Sequence, residues 1–322
     1  MRINMKRIYP LSLLILLICT SLSAMGMNKE PNFKIGEFHS VQVNIPCTMT
    51  IIRGKDFMMD IEADQNRIQE LDIYNDQGTL VFKLKERNLL RLFENNNPKI
   101  TLTMPEWRNI RVSSSADVSS EDYWENGDIS VRTSASGDIR LKDVKADTAE
   151  IRVSASGDIS IGNLDLKGPL ELLTSGSGNI EVDSVSCASA KIKSSASGEI
   201  DLGDVDAEAG MFELKSSGSG DNSFAAILAR NVQLIAQSSG EIRAELNSDS
   251  LEVKLSGSGD AKLKGRTGIA SLRSSSSGTV DASQMIVGEA AVSGSGSGDI
   301  YLKLGTIIRE VSFSGSGELI TR

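Results

Sequence analysis

The sequence has 322 residues, 39% of them hydrophobic, which is enough for a folded core and excludes a fully disordered chain. Its single histidine, His39, excludes a metal site or a catalytic pair built from several histidines. Aromatic residues make up only 4% and the net charge is −9, so base stacking and binding to a phosphate backbone are both disfavoured. No nucleic-acid partner is therefore expected.

Residues 1–24 are typical of a secretory signal peptide. Arg2, Lys6 and Arg7 form a positive start, an apolar run covers residues 11–18, and small residues follow as far as Ala24. The protein is therefore predicted to be exported to the periplasm, the outer-membrane surface or the extracellular space.

Neither a lipid anchor nor a membrane span is expected. Lipidation would need a small residue immediately before Cys19, whereas Ile18 occupies that position. The apolar run at 11–18 is shorter than the roughly 20 residues that cross a bilayer, and no later segment approaches that length.

A repeat of about 20 residues governs most of the chain. The motif Ser-x-Ser-Gly-acid, or a close variant, recurs ten times, with its glycines 19 to 22 residues apart. An earlier copy at 113–117 carries Ala116 in the glycine position. These corner glycines are Gly137, Gly157, Gly178, Gly198, Gly220, Gly240, Gly259, Gly278, Gly298 and Gly317.

Apolar residues keep the same period, which indicates an all-β fold. The residue six positions before every corner glycine is aliphatic, and apolar and polar residues alternate nearby, as in Ile159-Ser160-Ile161. Such units bury their apolar sides only by stacking, so we predict a right-handed single-stranded parallel β-helix (β-solenoid) with ~20-residue coils. About eleven coils at ~4.8 Å each would give a rod of about 50 Å. The glycines are expected at corners that need either a positive φ or close backbone approach.

Residues 25–112 lack the repeat but also carry strand patterns, and they form an irregular β N-terminal region. This region is either the opening coils of the same solenoid or a separate domain, and the regular β-helix repeats then occupy residues 113–322. Candidate strands lie at 41–46, 48–52, 58–62, 79–85, 100–104 and 110–113.

The last coil, at 311–322, carries no helix or charged tail that would cover it. An uncovered solenoid end can pair with another chain. End-to-end self-association is therefore a hypothesis.

Three motifs precede the repeats: the strand Val41-Gln42-Val43, the turn Asp76-Gln77-Gly78, and the strand ending in proline at 100–105. Together with the Ser-Gly-Ser-Gly-Asp repeats, this layout resembles the GIN-domain family of bacterial cell-envelope proteins, the heads of autotransporter adhesins common in Bacteroidota. The resemblance covers about residues 33–322. It implies a β-helical fold and an exported location, and it supplies no catalytic residues.

An acid follows most corner glycines, as at Asp138, Asp158 and Asp299. Stacked in register, such carboxylates would repel each other by roughly 1 kcal/mol or less in water. Bound Ca²⁺ could relieve this repulsion, because Ca²⁺ favours carboxylate and carbonyl oxygens. The alternative, which we favour, is a solvated edge that discourages aggregation, and no other cofactor is expected.

Two cysteines, Cys47 and Cys187, lie beyond the signal peptide. The position of Cys187 is apolar in neighbouring repeats, at Ala146, Leu166 and Ala207, so a buried thiol is expected there. An oxidising compartment also permits a disulfide between the two cysteines, which is the less favoured alternative.

Three aromatic residues near the start of the repeats are the candidate ligand contacts, namely Trp107, Tyr123 and Trp124. Exposed aromatic rings can contact the face of a sugar or a partner protein. The alternative, which we favour, is that these rings fill the core where irregular and regular coils meet. No catalytic, metal-binding or cofactor-binding residue is predicted.

Function is expected to lie in binding rather than in catalysis. β-Helical enzymes that act on polysaccharides build their sites on projecting loops, whereas coil lengths here vary only from 19 to 22 residues. The leading hypothesis is a non-enzymatic module for adhesion or interaction at the cell surface or envelope, with a protein or glycan as partner. The alternatives are a structural spacer without a specific ligand and, third, a polysaccharide-active enzyme.

Overall fold

The computed structural model of the protein describes residues 28–85 and 97–322. The predicted signal peptide and Cys19 lie outside the described residues. Within the described ranges the chain forms 24 strands and one short helix. No helix in these two ranges is long and apolar enough to cross a membrane.

The opening part of the fold contains nine strands and the helix. They are β1 (Asn28–Lys34), β2 (Ser40–Val43), β3 (Thr48–Arg53), β4 (Met58–Ala63), α1 (Gln65–Glu70), β5 (Leu71–Asp76), β6 (Thr79–Leu84), β7 (Lys99–Met104), β8 (Asn109–Val112) and β9 (Asp117–Glu125).

The regular part contains the other fifteen strands. They are β10 (Ile129–Thr133), β11 (Ile139–Ala146), β12 (Ala149–Val153), β13 (Ile159–Leu166), β14 (Pro169–Thr174), β15 (Ile180–Ser186), β16 (Ser189–Ser194), β17 (Ile200–Ser216), β18 (Asn222–Ala236), β19 (Ile242–Leu255), β20 (Ala261–Ser274), β21 (Val280–Gly294), β22 (Ile300–Leu302), β23 (Ile307–Phe313) and β24 (Leu319–Thr321).

Each regular coil adds one layer to a continuous parallel sheet. Val131 of β10 lies beside Ile151 of β12, and Ile151 lies beside Leu172 of β14. Equivalent residues pair in the same way on the other side of the corner, as Ile139 does with Ile159. The predicted β-solenoid of about 20-residue coils, with ~11 turns, is confirmed.

Three inward-facing stretches line the interior of a typical regular coil. In the coil after Gly137, the buried side chains are Ile139 and Leu141, then Val144 and Ala146, and then those of β12. Between the first two stretches, two consecutive residues point outward, which marks a bend in the coil. Stacking joins these apolar side chains into one core along the whole solenoid.

The corner glycines are required by the close approach of one backbone to the next. A Cβ placed on Gly157 would lie 2.1 Å from the carbonyl oxygen of Gly137, and one on Gly178 would lie 2.1 Å from that of Gly157. Real Cβ atoms essentially never show contacts under 3.0 Å. None of the corner glycines has a positive φ. Of the two reasons that the sequence leaves open, close approach is therefore the one that applies.

The opening coils do not stack in chain order. Strand β2 pairs in parallel with both β6 and β8, and β3 pairs in parallel with both β7 and β9. The chain therefore builds one coil with β2 and β3, passes through β4, α1 and β5 to an outer coil of β6 and β7, and returns to the inner side at β8. These irregular strands stack directly on the regular coils through β8 and β9.

Antiparallel strands cover the outermost coil of this opening region. Strand β5 pairs antiparallel with β6, β4 pairs antiparallel with β7, and β1 pairs antiparallel with β4. These pairings satisfy backbone N–H and C=O groups that a parallel stack would leave open, so they cap this end of the solenoid.

At the other end, the last coil is paired on one side. Strand β23 pairs with β21, and β24 pairs with β22. Val311 of this coil is 52% exposed, whereas its neighbour Val292 in the preceding coil is 2% exposed. Leu304 and Ile307 are also exposed. This apolar edge is the surface on which the hypothesis of end-to-end association depends, and that association stays a prediction.

Candidate ligand-binding surface

The structure corrects the prediction of Trp107 and Trp124 as ligand contacts, because both side chains are fully buried. Their rings meet edge to face, with centroids 6.3 Å apart. The indole N–H of Trp124 donates to the hydroxyl of Ser120 at 2.8 Å, and that hydroxyl donates to the carbonyl of Ile51 at 2.7 Å. The two tryptophans therefore fill the core at the junction of the irregular and regular coils.

Tyr123 differs from its neighbour Trp124, because its side chain is 48% exposed. Its carbonyl oxygen accepts a hydrogen bond from the guanidinium of Arg53 at 3.0 Å, which ties this strand to the adjacent coil. Of the three aromatic candidates, Tyr123 alone is open to solvent, and its contact with a ligand stays a prediction.

The corner acids bind the backbone of the next coil. The Oδ1 atom of Asp138 accepts the N–H of Asp158 at 3.0 Å, and that of Asp158 accepts the N–H of Asn179 at 2.7 Å. Asn179 continues the series by accepting the N–H of Glu199 at 2.8 Å. Further bonds of this kind join Asp221 to Glu241, Asp260 to Thr279, and Asp299 to Glu318. The side chains of Asp and Asn thus accept hydrogen bonds from backbone N–H groups. This role is not evident when the row is considered only as a charged edge.

In the described ranges, no three side chains of His, Cys, Asp or Glu come together to hold a metal ion. One oxygen of each corner Asp is engaged by a backbone N–H, which stabilises the stacked carboxylates through hydrogen bonding. Binding of Ca²⁺ along this row stays a prediction.

A row of basic side chains runs along one face of the solenoid, five positions before each corner glycine. We call it the basic row, and it holds seven cations and no acid. In-register pairing along the solenoid gives the order Arg111, Arg132, Arg152, Leu173, Lys193, Lys215, Ile235, Lys254, Arg273.

A companion row, two positions earlier in each coil, balances part of this charge. Glu150 lies between Arg132 and Arg152, with N–O distances of 2.5 and 2.9 Å. Glu252 pairs with Lys254 at 2.5 Å, and the hydrogen bond from Lys254 holds the pKa of Glu252 below its ordinary value. These glutamates separate like charges that the stacking would otherwise bring together.

Two rows of serines border the basic row on its corner side. They are the two serines of the Ser-x-Ser-Gly motif, and both are exposed in the regular coils. The row nearer to the cations is interrupted only by Gln237, and its members are Ser113, Ser134, Ser154, Ser175, Ser195, Ser217, Ser256, Ser275, Ser295 and Ser314. A strip of hydroxyl groups therefore runs beside the strip of cations.

The basic row and the nearer serine row enclose a shallow groove of about 490 Å³. Its cations are Arg152, Lys193 and Lys215, and serines of three successive coils face them. Leu173 and Ile235 supply apolar surface on either side of the two lysines. The groove therefore combines charge, hydroxyl groups and apolar contact on one open surface.

A second concave region, of about 930 Å³, lies at the opposite border of the same face and contains several acids. Asp128 accepts a hydrogen bond from the hydroxyl of Thr148 at 2.7 Å, and Asp147 pairs with Lys167 at 2.7 Å. Glu150 is held by the two arginines already described. These carboxylates serve contacts between coils, which argues against a pair of acids poised for glycoside hydrolysis.

Cys47 and Cys187 are both buried free thiols. Burial raises the pKa of Cys47 to about 12 and that of Cys187 to about 11. The strands beside them are four coil steps apart, about 19 Å at the coil rise, whereas a disulfide needs Cα atoms within about 7 Å. The buried position of Cys187 is confirmed, and the disulfide alternative is wrong.

The sequence matches the profile of a family described as "Putative auto-transporter adhesin, head GIN domain" over residues 37–207 and 205–321. The chain belongs to this GIN-domain family. A comparison with curated proteins finds no significant match.

The chain is similar to several solved structures at low sequence identity. A "putative adhesin" from Parabacteroides distasonis superposes with a TM-score of 0.64 and 15% identity, over 74% of this chain and 96% of that one. A "putative lipid binding protein" from the same species gives 0.43 and 18%, over 93% and 98%. A "putative adhesin" from Bacteroides fragilis gives 0.36 and 16%, over 93% and 98%. At these identities, the first likeness shows the fold alone.

Sequence reasoning missed the basic row of this GIN domain. The repeat is recognised when its copies are aligned on glycines, aliphatic residues and corner acids, and none of these indicates the charge of the residue five positions before each glycine. That position is basic in six of the nine coils from Gly137 to Gly298. The same alignment would therefore have found the row.

Proposed function

We propose that this GIN-domain protein is an exported, non-enzymatic module for adhesion or surface interaction, which binds a protein or a glycan. The observation that carries the proposal is the in-register stacking of the coils, which repeats each type of surface side chain at coil spacing. A ligand with its own repeat can then form many weak contacts at once, and avidity replaces a single deep pocket. The adhesin description of the family supports the same conclusion.

Location in the cell envelope or at its surface is part of the proposal. It is supported by the signal-peptide pattern of residues 1–24 and by the family to which the chain belongs. An adhesive module needs an exposed surface, and the long faces of a solenoid provide one.

A spacer without a specific ligand is the second candidate. Many charged side chains of the described coils pair with each other, as Lys191 does with Glu171 at 3.5 Å and Arg309 with Glu289 at 2.5 Å. Such mutual pairing would suit a solvated rod that only separates other parts of a larger assembly.

An array experiment distinguishes these candidates. Labelled protein lacking residues 1–24 is applied to glycans and extracellular host proteins, with Ca²⁺ or with EDTA, both as free protein and displayed on beads. We expect binding to one group of chemically related ligands, with stronger binding for the beads. Excess unlabelled protein must abolish each signal.

Absence of any signal in both formats would overturn the adhesion proposal and favour the spacer. Release of new reducing ends from a bound glycan would instead show catalysis. The Ca²⁺ and EDTA arms report directly on whether the corner acids take part.

A further inference from the structure

The basic row has the opposite charge to the protein as a whole. Across the nine coil positions from Arg111 to Arg273 the row contributes seven cations, and the companion row adds one lysine and four glutamates. These two rows together therefore keep a net charge of +4, although the full chain carries −9. A concentration of positive charge on an acidic protein indicates attraction for an anionic partner.

The cations of the row remain open to solvent. Arg132, Arg152, Lys215 and Lys254 keep 40% to 49% of their side-chain surface exposed even while they pair with glutamates. Lys193 is exposed and makes no ion pair with any residue in the described ranges. Pairs this exposed are weak, typically worth under about 1 kcal/mol, so an incoming anion can compete for these cations.

The groove at Lys193 and Lys215 adds features that a simple charged patch lacks. Serines of three coils present hydroxyl groups beside the two lysines, which can donate to or accept from a hydroxylated ligand. Leu173 and Ile235 flank the two lysines along the row and offer apolar surface to the C–H faces of a ring. Charged, hydroxylated and apolar groups therefore lie together in one groove.

We propose that the basic row, centred on the groove at Lys193 and Lys215, binds a linear acidic polysaccharide along the axis of the solenoid. Such a chain carries carboxylate or sulfate groups for the cations, hydroxyl groups for the serines and C–H faces for the apolar side chains. The repetition of the row at coil spacing matches a polymer rather than a single sugar. This inference rests on the proposed adhesive function and names the ligand class for one face.

Other polyanions fit the surface less well. Single-stranded nucleic acid is recognised by stacking on aromatic rings, and the lining of the groove contains none. An anionic membrane would meet the acidic remainder of the protein as well as the row, and repulsion would oppose that approach.

The test measures binding of polygalacturonate oligomers to protein lacking residues 1–24, by isothermal titration calorimetry at several salt concentrations. We expect measurable affinity that falls as salt rises, because the cations involved are exposed. The fully methyl-esterified oligomer, which has the same sugars without charge, is expected to bind at least tenfold more weakly.

The double variant Lys193→Glu/Lys215→Glu is expected to lose at least tenfold in affinity. Its control is Lys142→Glu/Lys264→Glu, which changes the net charge equally at two exposed lysines outside the basic row and the groove. Equal losses in both variants would overturn the proposed site, since they would show a general charge effect. If charge reversal impairs folding, the affinity of Lys193→Gln/Lys215→Gln is measured in its place.

Serine variants test recognition beyond charge. Ser175→Ala/Ser217→Ala is expected to weaken binding severalfold at unchanged salt dependence, because neither lysine is altered. Single-stranded DNA or anionic vesicles that bind as tightly as polygalacturonate would overturn the assignment to a glycan. If the array finds ligands whose binding is insensitive to the lysine variants, the proposed function stands and this inference fails.

Discussion

The Oδ1 atom of Asp158 accepts the backbone N–H of Asn179 at 2.7 Å, so a side chain of one coil completes the hydrogen bonding of the next. The two residues hold the same corner position 21 residues apart. Because the acceptor is a short side chain after a glycine, Asp and Asn reach the N–H. No such bond from a corner Glu or Thr is found in the described coils.

Replacement of Asp158 separates hydrogen bonding from charge. Asp158→Ala is expected to lower the free energy of unfolding by about 1 kcal/mol, because the N–H of Asn179 loses its acceptor. Asp158→Asn keeps an acceptor oxygen and is expected to be near neutral in thermal denaturation. Glu199→Ala is the control, because the side chain of Glu199 accepts no backbone N–H of the next coil. Similar losses for Asp158→Ala and Asp158→Asn would contradict the bond.

Addition of one methyl group at a corner is expected to be severe. Gly157→Ala would place a carbon 2.1 Å from the carbonyl oxygen of Gly137, in backbone that neighbouring coils hold on both sides. We expect a loss of about 3 kcal/mol or more, or failure to accumulate soluble protein. Gly127→Ala is the matched control, since its nearest contact would be Asp147 Oδ2 at 3.9 Å. Equal stability of the two variants would show that the coils can separate locally.

The buried thiol of Cys47 predicts loss of stability in alkali. Its pKa is about 12 in the folded protein against an ordinary 9.0, so the folded state holds a proton that the unfolded state releases. The stabilisation is complete below pH 9 and is lost as the pH rises towards 12. We expect Cys47→Ala, although less stable at pH 7, to lose less stability over that range. A parallel pH profile for the variant would refute this account.

Reactivity of the thiols gives an independent measurement. Both thiols stay protonated at pH 8 because burial raises their pKa values, so Ellman's reagent is expected to react with neither in the folded protein lacking residues 1–24. Both are expected to react once the protein is unfolded in guanidinium chloride. Rapid reaction of one thiol under native conditions would show that its coil opens.

The two tryptophans are a built-in probe of the core. Trp107 and Trp124 are the only tryptophans of the chain, and both are fully buried. Their fluorescence is therefore expected to resist quenching by iodide and to stay unchanged when a glycan binds. Trp124→Phe is expected to cost about 1 kcal/mol or more, through loss of the bond to Ser120. Quenching of the native emission by a ligand would show that these rings do contact the ligand.

End-to-end association through the last coil is expected to depend on the exposed apolar side chains of that coil. Sedimentation velocity should show larger species as the protein concentration rises, and Ile307→Asp/Val311→Asp should remain monomeric at the same concentrations. Ile286→Asp is the control, because Ile286 is 61% exposed on the side of the solenoid. A wild-type protein that is monomeric at every concentration would refute end-to-end association.

The regular coils could be predicted because their physics repeats. Each coil buries the same inward positions, so the 20-residue period fixes which residues become neighbours, and Val131 does lie beside Ile151. The sequence also predicts the corner glycines, although it does not distinguish a positive φ from close backbone approach as their cause. Distances between backbones in successive coils decide that question, and a sequence pattern does not contain them.

The opening region was harder to predict because it does not repeat. Six of its nine strands match the sequence prediction, whereas β1, β5, β9 and the helix α1 are not predicted. Its stacking order depends on long-range pairing, as when Val41 lies between Leu80 and Ile110. The candidate site shows the same limit, since Trp124 and Tyr123 are adjacent in sequence but lie on opposite sides of the sheet. Which of the two rings is buried depends on the side of the sheet that it faces in the folded coil.

The insertion of β2 and β3 between two later segments has a consequence for how the protein acquires its structure. Val41 pairs with residues that lie 39 and 69 positions further along the chain, whereas residues paired between regular coils are only about 20 positions apart. Closing longer loops costs more entropy, so this end is expected to be the slow step of folding and not its starting point. A polypeptide that appears from its N-terminus onwards, as during synthesis, would then hold its first coil incomplete until residue 112 had appeared. Once formed, the interlocked end would resist pulling on the N-terminus, because two pairs of strands must separate together.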